Sequence, residues 1–207
     1  MIMRQVMVDH TKVIGITGGV GSGKSHVCKL IERHLGYPVI DSDSISKEQM
    51  EPGGTALKKV LETFGSQFAN EDGTLNRSAL ADLVFNDPEK LKMLNAITHP
   101  AVIEEIKERI GEYAKKNIPF VFVESALACS AGYRSFCDEL WAVTAPETVR
   151  RYRLMKGRGY TDEKIASLFS GQMPEEELKK LCDKEIVNGN LVGDLELCYQ
   201  IETNLGL

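Results

Sequence analysis

The amino-acid sequence predicts an α/β fold of three layers, α/β/α, with a parallel central sheet. Three observations predict it. Short β-branched apolar runs alternate with segments of helical apolar spacing along the 207 residues, the pattern of a parallel sheet covered on both faces. The run "IPFVFVESA" (118–126) is continuously apolar, as a strand buried on both faces is. The first strand leads directly into "GGVGSGKS" (18–25), a glycine-rich turn that delivers a lysine and a hydroxyl to a helix start.

The elements follow in order. "KVIGITG" (12–18) is a β-branched run ending in glycine and reads as the first strand. From Lys24 to about Leu35, Val27, Leu30 and Ile31 recur at helical spacing, and Gly36 supplies a stop. "YPVIDSD" (37–43) reads as a second strand ending in acidic residues. "ALKKVLETFG", "RSALADLVF", "PEKLKMLNAI" and "AVIEEIKERIGEYAKK" carry i, i+3, i+4 apolar spacing, punctuated by Gly65, Pro88 and Pro100. "IPFVFVESA" and "ELWAVTA" (139–145) are further strands. Helical patterns run through 147–156, 161–170 and 175–183, then "EIVNG" forms a last strand and 193–204 a closing helix. The expected organisation is one domain over 1–207. Its core covers about 12–44 and 118–207, with a helical substrate-binding insert over about 45–117 and a lid over about 147–175.

Composition narrows the function. An apolar fraction of 43% and a charged fraction of 27% are those of a globular domain with one core. A net charge of −5 argues against a general nucleic-acid binder. No apolar run approaches the roughly 20 residues needed to span a bilayer, and "MIMRQVMVDHTK" lacks the features of a signal peptide. The expectation is a cytoplasmic protein with no membrane or nucleic-acid partner, a monomer or weak homo-oligomer. The five scattered cysteines have no CxxC spacing and read as reduced thiols.

The pattern G-x-x-x-x-G-K-[ST] is met by Gly18, Gly23, Lys24 and Ser25, with the required strand before and helix after. Glycines let successive N–H groups close on phosphate oxygens, and the helix start presents free N–H groups to the same anion. Gly18, Gly19, Val20, Gly21, Ser22, Gly23, Lys24, Ser25 and His26 are therefore the candidate ATP cradle. Lys24 reaches the β- and γ-phosphates, and the Ser25 hydroxyl is the candidate Mg²⁺ ligand. No chemistry is assigned to the His26 ring. "GGVGSGK" lacks the GxGxxG spacing of a nicotinamide site, and "KKNIP" (115–119) fails the N-K-x-D pattern of a GTPase. A small chain with a helical insert suits phosphoryl transfer to a small molecule.

Such transfer needs an acid near the acceptor hydroxyl and positive charge around the moving group. Asp41 and Asp43 lie just past the second strand, where α/β sheets bind ligands. Asp43 has two readings: base or Mg²⁺ holder, and N-cap of "SISKEQM". "VRRYRLMKGRG" (149–159) places Arg150, Arg151, Arg153, Lys156 and Arg158 within eleven residues, either as a solvated helix face or as a lid over the triphosphate. His99, in "THPAV", falls between two helical patterns, as a structural hydrogen-bonding group or a ligand contact.

The ordered segments "IGITGGVGSGKS", "DSDSISKE" with "PGG", "DGTLNRSALADLVFNDPEKLKMLNAITHP", "VFVESALA", "CDELWAV", "RLMKGRGYTDEKI" and "GQMPEEELKKLCDKEIVNG" carry a resemblance. Through them the chain resembles the dephospho-coenzyme A kinase family of P-loop kinases over essentially its full length. The resemblance implies that MgATP donates its γ-phosphoryl group to the ribose 3′-hydroxyl of dephospho-CoA, giving CoA and ADP, the last step of coenzyme A synthesis. It implies Asp43 as the base, with Lys24 and the lid residue Arg158 also catalytic. Arg153 joins the ATP site, Arg77 and His99 join Asp43 on the acceptor side, and Glu124 takes the acidic position associated with metal or acceptor. The alternatives are another small-metabolite or nucleotide kinase, and a weakened P-loop protein that binds nucleotide or CoA. The chain departs from the family pattern at four places. His26 replaces a threonine or second hydroxyl, and Lys47 replaces an arginine, losing its planar two-pronged grip. Ser130 replaces the glutamate of "PLLFE", and Gly157 takes the usual lid-arginine slot, leaving Arg158 five residues beyond Arg153.

Overall fold

The computed structural model describes residues 10–207 except 86, 127, 128, 130 and 131, so Ser130 lies outside the described residues. The chain forms two compact units: residues up to Ile40 together with Ile110–Leu207, and Asp41–Arg109.

Five strands build the central sheet: β1 (Lys12–Thr17), β2 (Val39–Asp41), β3 (Phe120–Glu124), β4 (Glu139–Thr144) and β5 (Lys184–Val187). Their order is β2-β3-β1-β4-β5, and β1 pairs in parallel with β3 and β4, as β4 does with β5. From β1 the chain runs to one edge, returns through β3 and crosses to β4 and β5. The carboxyl end of β1 is thus the switch point at which α/β sheets place their ligands.

The apolar runs form strands because both faces are covered. Ile14, Ile16, Phe122 and Trp141 are fully buried, against Val27 and Ile31 of the first helical segment and Ile201 near the chain end. Phe122 meets Trp141 edge to face at 5.8 Å between ring centroids. Burying each such side chain contributes about 1.5–3 kcal/mol. The first helix, α1 (Lys24–Leu30), widens into a π-helical turn over Ile31–Leu35 and stops at Gly36 with φ 72°. Between β4 and β5 run α6 (Glu147–Arg158), α7 (Asp162–Ser170) and α8 (Glu175–Leu181), and α9 (Asp194–Leu205) closes the chain.

The second unit is helical: α2 (Ser42–Gln49), α3 (Thr55–Phe64), α4 (Arg77–Phe85) and most of α5 (Pro88–Lys115). Met50, Leu57, Val60, Leu80 and Val84 form its core, with Leu94 and Ile97 of α5 packed against it. Here one expectation is corrected. Pro100 does not separate two helices; α5 passes through it without a break, and His99 lies in mid-helix. Proline removes one hydrogen bond, that to the carbonyl of Ala96. Ala96 and Pro100 are both exposed, so water can satisfy that carbonyl while Leu94, Ile97 and Ala101 hold the helix to its core.

At the amino ends of the strands, Glu139 gathers three donors. Lys12 Nζ lies at 2.6 Å, Trp141 Nε1 at 2.7 Å and Lys184 Nζ at 3.1 Å. Burial pushes the Glu139 carboxyl up, but these donors together outweigh it and hold it below the ordinary glutamate value. A depressed folded-state value contributes stability that is present above the unfolded pKa and lost as pH falls through the folded one. We therefore expect Glu139→Gln to be less stable than the wild type at neutral pH. The gap should close as pH falls below about 4, read by urea unfolding; a gap independent of pH would contradict this reading.

Candidate active site: a phosphate cradle at the end of the first strand

Between β1 and α1 the backbone turns through Gly18–Gly23. Gly23 takes φ +94° as the residue preceding α1, a conformation that disfavours a side chain. A Cβ there would also run into Asn188 Nδ2. The turn is closed by Ser22 N–H donating to Gly19 O at 3.1 Å, and by His26 and Val27 N–H donating to Gly23 O at 3.0 and 3.1 Å. Lys24 reaches back over the loop, its Nζ donating to Gly18 O at 2.8 Å.

The loop is buttressed from behind. Arg150 Nε donates to Val20 O at 2.9 Å. Arg153 Nη1 at 3.1 Å and Asn188 Nδ2 at 2.9 Å both donate to Ser22 O, and Arg153 Nη2 also donates to Asn188 Oδ1 at 3.0 Å. In a trans peptide the C=O and N–H point in opposite directions, and no cis bond occurs among the described residues. Anchoring Val20 O and Ser22 O therefore aims the N–H groups of Gly21 and Gly23 away from the buttress. Among the described residues neither N–H has a protein acceptor. Burial lowers Arg150 and Arg153 below the ordinary guanidinium value, yet both stay charged at neutral pH. The result is a ring of donors backed by fixed positive charge, an arrangement that binds polyphosphate.

Ser25 Oγ donates to Glu124 Oε1 at 3.0 Å, bringing together a hydroxyl from the start of α1 and the carboxylate that ends β3. Both are hard oxygen donors and fit Mg²⁺, which uses few protein ligands when phosphates supply the rest. Among the described residues no cluster of three or more His, Cys, Asp or Glu could hold a metal by itself. The His26 ring turns to Asp194, Nε2 to Oδ1 at 2.8 Å, and ties α1 to α9. The thiol of Cys28, beneath this turn, is pushed far up by burial and by neighbouring Glu124.

In the helical unit, the N-cap of α2 is Asp41, not Asp43. Asp41 has extended backbone, φ −89° and ψ 109°, as a cap requires. Its Oδ1 accepts from Asp43 N–H at 2.9 Å and Ser44 N–H at 3.3 Å, and its Oδ2 from Ser44 Oγ at 2.7 Å. Asp43 is thereby left in the first turn with an exposed carboxylate that has no partner among the described residues. Lys47 lies four residues on, hence on the same face of α2. Arg77 opens α4 and pairs with Glu51 at 2.7 Å. His99 is half-buried.

Of the basic run, Arg150 and Arg153 hold the loop, whereas Arg158 is exposed at the end of α6. The five-residue offset turns Arg158 about 140° around the helix from Arg153. Asn188 and Gln172 also touch the loop; both fall in the segment 171–189 that carries the resemblance, but neither has a role assigned from the sequence. Asn188 is a buried polar residue, and burial of that kind is invisible in composition.

The family model described as dephospho-CoA kinase matches residues 12–193. The chain belongs to the dephospho-CoA kinase family. A curated family member from Carboxydothermus hydrogenoformans is 38% identical over 180 residues, 87% of either chain. Dephospho-CoA kinase from Campylobacter jejuni is 25% identical and superposes with a TM-score of 0.69 over 93% of this chain and 96% of its own. The crystal structure of a Thermus thermophilus protein, 36% identical, superposes at 0.77 over 95% and 97%. The match covers both units, and the fold is that of the P-loop kinases.

Gly23→Ala adds a methyl at a left-handed residue and against Asn188. The strain is about 1–3 kcal/mol, so nucleotide binding is expected to weaken about tenfold or more in a protein that still folds. Equilibrium nucleotide titration with a melting curve checks this; unchanged affinity would contradict it.

Proposed function

We propose that the chain transfers the γ-phosphoryl group of ATP to the ribose 3′-hydroxyl of dephospho-CoA, releasing CoA and ADP. The observation that carries this reading is the match of residues 12–193 to the dephospho-CoA kinase family. The loop geometry supports the donor half, because the outward N–H groups of Gly21 and Gly23 suit the oxygens of a polyphosphate.

In the proposed reaction the N–H groups of the loop and Lys24 Nζ hold the β- and γ-phosphates. Lys24 exchanges its contact with Gly18 O for phosphate oxygen as ATP enters. The exposed carboxylate of Asp43 takes the proton of the acceptor hydroxyl as its oxygen bonds to the γ-phosphorus and the bond to ADP breaks. Lys24 and Arg158 balance the negative charge that spreads over the transferring group. Ser25 and Glu124 would hold Mg²⁺, which when bound neutralises phosphate charge. Arg153 supports the loop at the nucleotide side, His26 lends it a backbone N–H, and Arg77 and His99 serve the acceptor. Residues 147–175 act as the lid, and residues from about 45 to 117 as the acceptor-binding insert. We place the reaction in the cytoplasm, which suits an ATP-dependent enzyme with five free thiols, and read the protein as a monomer or weak homo-oligomer. No helix among the described residues is long and apolar enough to cross a membrane.

A coupled ADP-release assay tests the reading. Dephospho-CoA should support turnover, and nucleoside monophosphates should not; the reverse preference would overturn the assignment. Asp43→Asn should cut kcat at least about 100-fold while nucleotide binding is retained. A variant as fast as the wild type would remove Asp43 from the chemistry.

A further inference from the structure

Gln172 lies in the turn between α7 and α8, and its side chain reaches across to the loop. Its Oε1 accepts the N–H of Val20 at 3.0 Å and Arg150 Nη2 at 3.1 Å. Arg150 completes the circuit by donating Nε to Val20 O at 2.9 Å. Both backbone polar groups of Val20 are thus held by one pair of side chains more than a hundred residues away. Arg150 is itself held firmly. Its guanidinium stacks over the Phe169 ring at 4.4 Å, faces Glu175 Oε2 at 3.7 Å, and its side chain is only 11% exposed. Gly19 admits this approach, because a Cβ there would lie 2.5 Å from Arg150 Nη2.

We propose that Gln172 and Arg150 are positioning residues for ATP, setting the two peptides around Val20 so that the Gly21 N–H faces the phosphates. The inference rests on the donor role proposed above for this loop and adds the residues that aim it. The physical reason is that each peptide of a glycine-flanked residue turns freely unless one of its ends is fixed. Gln172 fixes the Gly19–Val20 peptide by its N–H, and Arg150 fixes the Val20–Gly21 peptide by its C=O. The grip also links ATP binding to the α6–α8 segment, since both side chains belong to it. Neither residue touches the reacting atoms. Losing them therefore removes binding common to ground and transition states, which raises KM for ATP and leaves kcat nearly unchanged.

Steady-state kinetics and nucleotide titration on the full chain decide the matter, comparing wild type, Gln172→Leu and Gln172→Glu. Gln172→Leu, which loses an acceptor of two hydrogen bonds, should raise KM and Kd for ATP about tenfold. Its KM for dephospho-CoA and its kcat should stay within about twofold of wild type. Gln172→Glu keeps an acceptor oxygen at the same reach and should recover most of the ATP affinity. An unchanged KM for ATP in Gln172→Leu would overturn the proposal. So would a lower one, which would make Gln172 a plug that competes with phosphate for the Val20 N–H. Equal loss in Gln172→Glu, or both KM values moving together with a fallen Tm, would leave only a structural role and overturn it too. A wild type that binds no ATP would instead defeat the donor reading, and this proposal with it.

Discussion

Because the C=O and N–H of a trans peptide point in opposite directions, the loop after β1 depends on what grips its carbonyls. Arg150 holds Val20 O, and Arg153 with Asn188 holds Ser22 O. Each grip turns the following N–H toward the opposite side. Short glycine-rich backbone is otherwise free to point its amides in many directions, and ordering it on binding would cost entropy. Here the side chains of α6 and the residues after β5 have already ordered it. The rest of the unit serves that placement. The buried sheet fixes where β1 ends, β3 and β4 pair with it on either side, and Phe122 of β3 meets Trp141 of β4 edge to face.

The same buttress divides the labour among the arginines. Two of them, Arg150 and Arg153, half-buried against the loop, act as fixed positive charge and as hydrogen-bond donors to carbonyls. Arg158, by contrast, ends its helix exposed to solvent. Burial lowers the first two somewhat, but guanidinium does not deprotonate near neutrality, so their grip is independent of physiological pH. Lysine in those places would lose the fork that lets Arg153 reach Ser22 O and Asn188 together.

How much of this was legible in the sequence follows from the range of the interactions involved. The five strands were readable to within one or two residues: β1, β3 and β4 are apolar runs buried along nearly their whole length, while the short edge strands β2 and β5 each bury a single isoleucine. The loop was readable because its residues are contiguous. The continuity of α5 was not, since proline removes one hydrogen bond while the tertiary contacts that hold the helix to its core leave no local mark. The cap of α2 is open in the sequence, where Asp43 carries both a cap and a catalytic reading. Two aspartates compete for that role, and only backbone conformation decides that Asp41 takes it. Gln172 and Asn188 lie in a segment that carries the resemblance, yet their role was unreadable for a further reason: they act on backbone atoms 152 and 166 residues away, and an amide side chain has no chemical signature of such a role.

The central claim is that anchored carbonyls aim the phosphate-binding amides before any acceptor is present. Calorimetric titration of a non-hydrolysable ATP analogue with Mg²⁺ into wild type and Asn188→Ala, without dephospho-CoA, tests it most directly. The account predicts saturable one-site binding to the wild type and affinity weaker by about fivefold or more in the variant, which loses a buried hydrogen bond to Ser22 O. Equal affinities, or a wild type that binds the analogue only once the acceptor is added, would contradict it.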